Sequence, residues 1–248
     1  MKHDALAPTA SRYAAYGAVL FGWLLLLPHI AKIGGVDAFR DGAIVEWFQF
    51  IVVLAAAGLF AVAAYRLPQW RQLLSVLAMF ALIAAVREQD ALLDRTVPWM
   101  LGWKGPALAC LIVGLIAAVR DLPRFGAQLE PFARTNGFAI LWTGAFAVIC
   151  AAQMIGHGDL LRIITADAYD ADAKRVVEEA FESFGYLLLL AGTVETLVHL
   201  PHMAPSPIWR RGLNESPLAA HESPEVDEPR ESLSKPRLRR RDTESTRA

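Results

Sequence analysis

The stretch that decides the fold is residues 43–65, AIVEWFQFIVVLAAAGLFAVAAY. Its second half, residues 51–64, is apolar on every side, which fits a helix in lipid better than the alternating pattern of a β-barrel strand. The stretch also supplies the roughly 20 helical residues that a hydrocarbon core of about 30 Å requires. The sequence therefore predicts a transmembrane helix here.

Five further apolar blocks are long enough, or nearly long enough, to cross the same core. The first is longer than the core of a cleaved signal peptide and is followed by Lys32, so we expect it to be retained as a span. Apolar residues make up 55% of the 248, above the roughly 45–50% of a soluble domain. We expect an all-α fold, a polytopic membrane helix bundle with about six transmembrane helices, at residues 13–32, 43–65, 72–93, 105–120, 137–157 and 179–200.

The chain divides into three parts around these blocks. A short N-terminus, residues 1–12, precedes the transmembrane domain of residues 13–202. The remainder, residues 203–248, holds prolines and charges of both signs but no apolar run. Such a segment cannot bury enough surface to fold alone, so we expect a disordered C-terminal tail.

The basic residues between spans predict the orientation. The side that holds the N-terminus carries more Lys and Arg than the other, and several, such as Arg12, Arg66 and Arg71, directly abut a span end. Short loops rich in Lys and Arg stay in the cytoplasm, so we expect both termini there, in agreement with an even number of spans. The partner that follows is the lipid bilayer. We expect no nucleic-acid partner, and nothing in the sequence indicates a protein partner.

Two of the apolar blocks are too short to cross without their charged neighbours. Residues 72–86 and 183–194 are uncharged, yet each run alone falls short of a span. Arg87 and Glu88 must therefore enter the membrane boundary with the third span, and Glu182 and Glu195 belong to the last helix. Ionic groups cost at least ~2.5 kcal/mol at a helix centre and normally face a partner or a water-filled cavity.

The predicted topology brings most of these polar residues to one membrane face, the outer one. Because Arg87 is the only basic residue in the core of the set, it should pair with one or two carboxylates, and the remainder would be net negative. That balance suits a cation, a metal or carboxyls that carry protons. The polar cluster predicted near the outer face consists of Glu46, Gln49, Arg87, Glu88, Asp90 and Glu182.

A metal site is one way to use this cluster, with His157 beside Glu178, Glu182 and Asp90 as candidate ligands. Mixed oxygen and nitrogen ligands favour a divalent transition metal such as zinc, manganese or iron. The metal would activate water against a lipid-like substrate. The chain has no H-E-x-x-H, G-x-S-x-G or phosphate-binding glycine pattern, so no catalytic residue can be assigned.

Three blocks resemble those of small bacterial multi-pass membrane proteins: Glu46-Trp47-Phe48-Gln49, Arg87-Glu88-Gln89-Asp90 and the run EEAFESFG at residues 178–185. The resemblance covers roughly residues 15–200 and implies a location in the bacterial inner membrane, with no particular activity. A fainter similarity is to the ceramidase and progestin-receptor-like seven-span hydrolases. Their Ser-x-x-x-His and His-x-x-x-His motifs are both missing from this chain.

Several functions remain open at this point. We rank first a structural or ligand-binding membrane protein whose polar cluster takes a cation or small ligand. A metal-dependent membrane hydrolase comes second. A cation- or proton-coupled transporter comes third, and it would need a path to the inner face, for which Glu195 and His199 are candidates. A capping or interfacial role is the simpler interpretation of those two residues.

Overall fold

The computed structural model describes residues 6–97, 101–156, 162–163 and 170–205. His157, one of the candidate metal ligands, lies outside the described residues. So do residues 206–248, which make up most of the predicted tail. The described ranges contain helices and loops and no β-strand.

We number the helices in chain order. They are α1, Leu6–Gly34; α2, Ile44–Arg66; α3, Arg71–Arg87; α4, Asp90–Thr96; α5, Lys104–Val119; α6, Leu122–Phe132; α7, Asn136–Phe146; α8, Gln153–Gly156; and α9, Ala171–His199. A π-helical segment, Ala147–Ala152, joins α7 to α8 in one continuous rod. Short 3₁₀ turns occupy Val36–Phe39, Pro68–Trp70 and Leu200–His202.

Five of these helical segments are long and apolar enough to cross a membrane, and the bent pair α5 and α6 would make a sixth. Most large apolar side chains of α1 and α5 point out of the bundle, as helices that face lipid require. The prediction of an all-α, multi-pass membrane helix bundle is confirmed.

The last helix, α9, is the central one. It packs most extensively against α7 and α2, and α1 lies against it more lightly. On the far side of α2 follow α3 and then α5. Val45, Val53, Tyr186 and Leu187 form much of the core where α2 meets α9. This arrangement puts the start of α2, the end of α3 and the start of α9 at one end of the bundle, which we call the cavity end.

The contact between α7 and α9 is close enough to require glycine. A Cβ atom on Gly144 would lie 2.8 Å from the carbonyl oxygen of Gly185 and 2.9 Å from the amide nitrogen of Leu189. One on Gly192 would lie 2.8 Å from the amide nitrogen of Leu141. Small residues of this kind let two helix backbones approach in the absence of a hydrophobic driving force within lipid.

The predicted third span, residues 72–93, is not one continuous helix. It ends at Arg87, and the chain resumes as the short helix α4 at Asp90. Glu88 and Gln89, between the two helices, are both buried. The tyrosine hydroxyl of Tyr186 on α9 donates a hydrogen bond to the Glu88 carboxylate. The break between α3 and α4 therefore coincides with two buried polar side chains, of which Glu88 is held by α9 and Gln89 donates to the backbone carbonyl of Glu88 at 3.1 Å.

The predicted fourth span, residues 105–120, corresponds to helix α5. Helix α5 has 16 residues, which corresponds to about 24 Å, and the chain then bends by 96° into α6. Asp121 starts the new helix, since its side chain accepts a hydrogen bond from the backbone N–H of Arg124 at 3.1 Å. Helix α6 therefore lies beyond the predicted span, and the sequence analysis did not assign it.

Candidate binding cavity

A cavity of about 370 Å³ opens at the cavity end of the bundle. The loop before α2, the end of α3, the start of α4 and the first turns of α9 enclose it. Its lining is almost entirely charged: Asp41, Glu46, Arg87, Glu88, Asp90, Ala171, Asp172, Lys174, Arg175, Glu178, Glu179 and Glu182. Five of the six residues that the sequence assigned to the polar cluster are in this set.

The floor of the cavity is built around Arg87, the last residue of α3. Its guanidinium donates to a carboxylate oxygen of Glu182 on α9 at 2.9 Å and lies 3.9 Å from the carboxylate of Glu88. Glu88 and Glu182 are buried, 6% and 5% exposed, while the Arg87 side chain remains 35% exposed toward the opening. Two buried acids thus share one cation that is still in contact with the cavity.

Gln49 connects the floor to the neighbouring turn of α9. Its side-chain amide donates to the Glu179 carboxylate at 2.9 Å and to the Ser183 hydroxyl at 3.0 Å. The side chain is fully buried, and its carbonyl oxygen Oε1 has no hydrogen-bond partner among the described residues. One turn earlier on α2, Glu46 accepts a hydrogen bond from the backbone N–H of Gly42 and lines the cavity.

The rim of the cavity is formed by the first turns of α9. Asp170 caps this helix by accepting a hydrogen bond from the backbone N–H of Asp172 at 2.9 Å. Arg175 reaches Asp41 in the loop before α2 at 3.1 Å, and Lys174 lies 3.6 Å from Glu178. The Arg175–Asp41 contact ties the two sides of the opening together.

The charge of the lining decides what this cavity can bind. Eight of its side chains are acidic and three are basic, so the ionised lining carries a formal excess of five negative charges. Charges of one sign that line a cleft raise the local concentration of counter-ions. The cavity therefore attracts cations and repels anionic substrates.

The remaining sequence candidates lie in varied surroundings. Asp90 lines the cavity but is exposed, and the helix break separates it from the face of α3 that carries Arg87. Asp94 accepts a hydrogen bond from the backbone N–H of Trp103 at 3.1 Å. His29 is exposed near the end of α1. Among the described residues, no group of three or more His, Cys, Asp and Glu side chains is arranged to hold a metal.

Sequence reasoning passed over three residues of the site. The polar cluster predicted from the sequence includes none of Glu179, Ser183 and Tyr186. The three lie at i, i+4 and i+7 of α9, so they share a helix face with one another and with Glu182. That spacing was the available signal, because it marks a polar stripe in an otherwise apolar helix.

A second polar cluster occupies the opposite end of α9 and is centred on Glu195. This residue is fully buried, and its carboxylate accepts hydrogen bonds from the hydroxyls of Tyr13 at 3.0 Å and Tyr16 at 3.1 Å. The guanidinium of Arg12 lies 3.3 Å away, and Nδ1 of His199 lies 3.4 Å away. The Glu195 carboxylate is enclosed where α1 meets α9, and Nδ1 of His199 lies 2.9 Å from the backbone carbonyl of Glu195, a contact that fits the capping role expected there.

Comparisons with known proteins add no family to this description. No protein-family model, no curated protein and no solved structure matches the chain.

Proposed function

We propose that this chain is an integral protein of the bacterial inner membrane that binds a small organic cation in the acid-lined cavity. The observation that carries the proposal is the lining itself, eight acids and three bases around about 370 Å³. Pockets of roughly 300–1,000 Å³ are typical of small-molecule sites. The volume exceeds what a single dehydrated metal ion needs, and the acids are spread around the wall.

The distribution of the acids favours an amine or guanidinium ligand. Such a cation is recognised by several carboxylates at its periphery, and it needs no convergent set of three close ligands. The buried carbonyl oxygen of Gln49, which has no hydrogen-bond donor among the described residues, provides one more acceptor beside Glu179. Arg87 holds the two deepest acids, and Arg175 and Lys174 hold Asp41 and Glu178, which leaves acids such as Glu46 and Asp90 for the ligand.

The excess of exposed arginines at the other end of the bundle supports an outward-facing cavity. Arg66, Arg120 and Arg134 all lie at that end, where α2 and α5 finish and α7 begins. Under the rule that basic loops remain cytoplasmic, the cavity faces the outside of the cell. The block resemblance to small bacterial multi-pass proteins supports the same membrane.

Titration calorimetry of the purified full chain in lipid nanodiscs tests the proposal, with putrescine as an organic dication and Mg²⁺ as an inorganic one. We expect saturable putrescine binding that weakens as salt is raised, because the lining acts through charge. The double variant Glu46→Gln/Asp90→Asn should lower the putrescine affinity by roughly tenfold.

The matched control is Glu130→Gln, which removes an acid from α6, away from the cavity. It should leave the putrescine affinity unchanged. The proposal is wrong if putrescine does not bind, or if the control weakens its binding as much as the cavity variant does. Tighter binding of Mg²⁺ than of putrescine would instead favour an inorganic cation site.

The hydrolase and the transporter remain predictions without a supporting observation of their own. A hydrolase needs His157, which lies outside the described residues. A proton or cation path needs Glu195 as a carrier, and this carboxylate is already held by Arg12 and two tyrosine hydroxyls. We therefore do not extend the proposal to either reaction.

A further inference from the structure

The transverse helix α6 lies at the end of the bundle opposite the cavity. Its predecessor α5 presents exposed apolar side chains to the surroundings, among them Leu108, Ile112 and Leu115, so α5 stands in the lipid. Because the chain bends by 96° at the end of α5, an α5 that crosses the lipid places α6 roughly parallel to the membrane plane. The short length of α5, about 24 Å, keeps α6 near the boundary of a hydrocarbon core of about 30 Å.

Helix α6 is fixed firmly in this position. The fully buried side chain of Gln128 accepts a hydrogen bond from the backbone N–H of Leu73 at 2.8 Å and donates one to the carbonyl of Gln69 at 2.7 Å. It thereby satisfies a free backbone group at the start of α3. Phe132, at the end of α6, is buried and packs edge-on against Phe138 of α7 at 5.4 Å. The helix is part of the bundle and not a loose appendage.

Helix α6 has an exposed apolar face that is formed by two leucines. Leu122 and Leu129, seven residues apart and so on one helix face, are 59% and 39% exposed. Apolar side chains on a helix that lies in the membrane plane dip into the boundary between headgroups and acyl chains.

Several exposed arginines lie near the start of α6. Two hydrogen bonds join the chain segments that carry these arginines. Gln72 donates to the carbonyl of Asp121 at 3.2 Å, and Arg124 donates to the carbonyl of Pro68 at 2.9 Å. The turn between α2 and α3 therefore lies against the start of α6. We use the name arginine surface for the exposed arginines gathered here, Arg66, Arg71, Arg120 and Arg124.

We propose that α6 and the arginine surface form a binding site for anionic phospholipids. The leucines insert beside the acyl chains, and the guanidinium groups hold the phosphate of the headgroup. Arginine suits this role because its planar donors match phosphate oxygens and its long stem lets the charge reach the interface. The proposal concerns the end of the bundle opposite the cavity and does not depend on what the cavity binds.

Electron paramagnetic resonance with spin-labelled lipids tests the site. The full chain is reconstituted in phosphatidylcholine vesicles that contain either labelled phosphatidylglycerol or labelled phosphatidylcholine, and the immobilised fraction of each is compared. We expect phosphatidylglycerol to be preferred, and the preference to fall as NaCl is raised. The variant Arg66→Gln/Arg120→Gln should reduce the preference by roughly fivefold or more.

The matched control is Arg40→Gln/Arg95→Gln, which removes two exposed positive charges from the cavity end. It should keep the preference for phosphatidylglycerol. The proposal fails if the unmodified chain does not distinguish the two lipids, or if the control loses the preference to the same extent. It also fails if inorganic phosphate competes as well as phosphatidylglycerol does, because the site would then bind anions without the membrane.

A depth measurement tests the helix independently of charge. A fluorophore is attached at Leu122→Cys in a chain whose own cysteines are replaced, Cys110→Ala and Cys150→Ala. We expect quenching by lipids brominated on their acyl chains and little quenching by iodide in water. The same fluorophore at Arg40→Cys should show the reverse. Strong iodide quenching at position 122 would place α6 outside the bilayer and overturn the proposal.

Discussion

The two ends of α9 carry the same kind of residue in opposite surroundings. Glu182 faces a cavity and shares Arg87, a cation that is 35% exposed, with a second acid. Glu195, about 20 Å further along the helix, is enclosed by Arg12 and two tyrosine hydroxyls. An acid in a membrane helix therefore does not define a ligand site by itself. What distinguishes the two ends is whether the acids outnumber the donors that the protein supplies.

Replacing the enclosed acid should have the largest effect on stability. Glu195→Ala leaves Arg12 and the hydroxyls of Tyr13 and Tyr16 without their acceptor, so the loss of three bonds at once should destabilise the chain more than either of the changes below. Unfolding in mixed micelles of increasing SDS content measures this loss. Glu195→Gln, which still accepts hydrogen bonds from the tyrosines, should lose less. Equal stability of Glu195→Ala and the unmodified chain would mean that water already solvates this end.

The second largest loss of stability is expected at the glycine contact between α7 and α9, which lies between the two ends of α9. Gly144→Ala would press a methyl group against the backbone of α9, at 2.8 Å from the carbonyl oxygen of Gly185. We expect a loss of about 2 kcal/mol in the same SDS unfolding measurement, because overpacking of this kind typically costs 1–3 kcal/mol. Gly58→Ala is the control, since nothing lies within 4 Å of a Cβ atom there. If both variants lose the same amount, the contact between α7 and α9 is looser than the geometry requires.

The cavity pair should give the smallest effect. A double-mutant cycle with Arg87→Gln and Glu182→Gln should show a coupling of about 1 kcal/mol, because the exposed side of Arg87 remains solvated. Raising KCl from about 0.05 to about 0.5 M should weaken this coupling by screening. In the corresponding cycle of Arg12 and Glu195, Tyr13 and Tyr16 still hold the carboxylate when Arg12 is replaced. A coupling between Arg87 and Glu182 that salt does not change would mean that the cavity pair is shielded from water.

The sequence predicts the fold and part of the cavity because the length of each uncharged run can be compared directly with the thickness of a bilayer. Residues 72–86 and 183–194 are too short to cross alone, and Arg87 and Glu182 do lie 2.9 Å apart between α3 and α9. The helix stop after Arg87 was not predictable in this way. Glu88, the residue at this stop, has its hydrogen-bond partner Tyr186 almost a hundred positions later in the chain.

The cluster around Glu195 was even less predictable from the sequence than the helix stop. Arg12 and Tyr13 looked like a topology signal and an interfacial aromatic, and nothing in their local sequence indicates Glu195 as the partner. The bend between α5 and α6 likewise depends on Gln128, which ties α6 to the start of α3. Pairings between distant segments arise from packing, and a single sequence carries no periodic signal for them.

The light attachment of α1 has a consequence for biosynthesis. This helix touches the bundle through Trp23, stacked on Phe48 at 3.7 Å, through the buried Leu27, and through the bonds to Glu195. Since 183 positions separate Arg12 from Glu195, α1 leaves the ribosome long before its partner α9. Association of inserted helices is a separate step in the two-stage assembly of membrane proteins. The docking of α1 therefore requires α9, and a nascent chain arrested before α9 would leave α1 undocked.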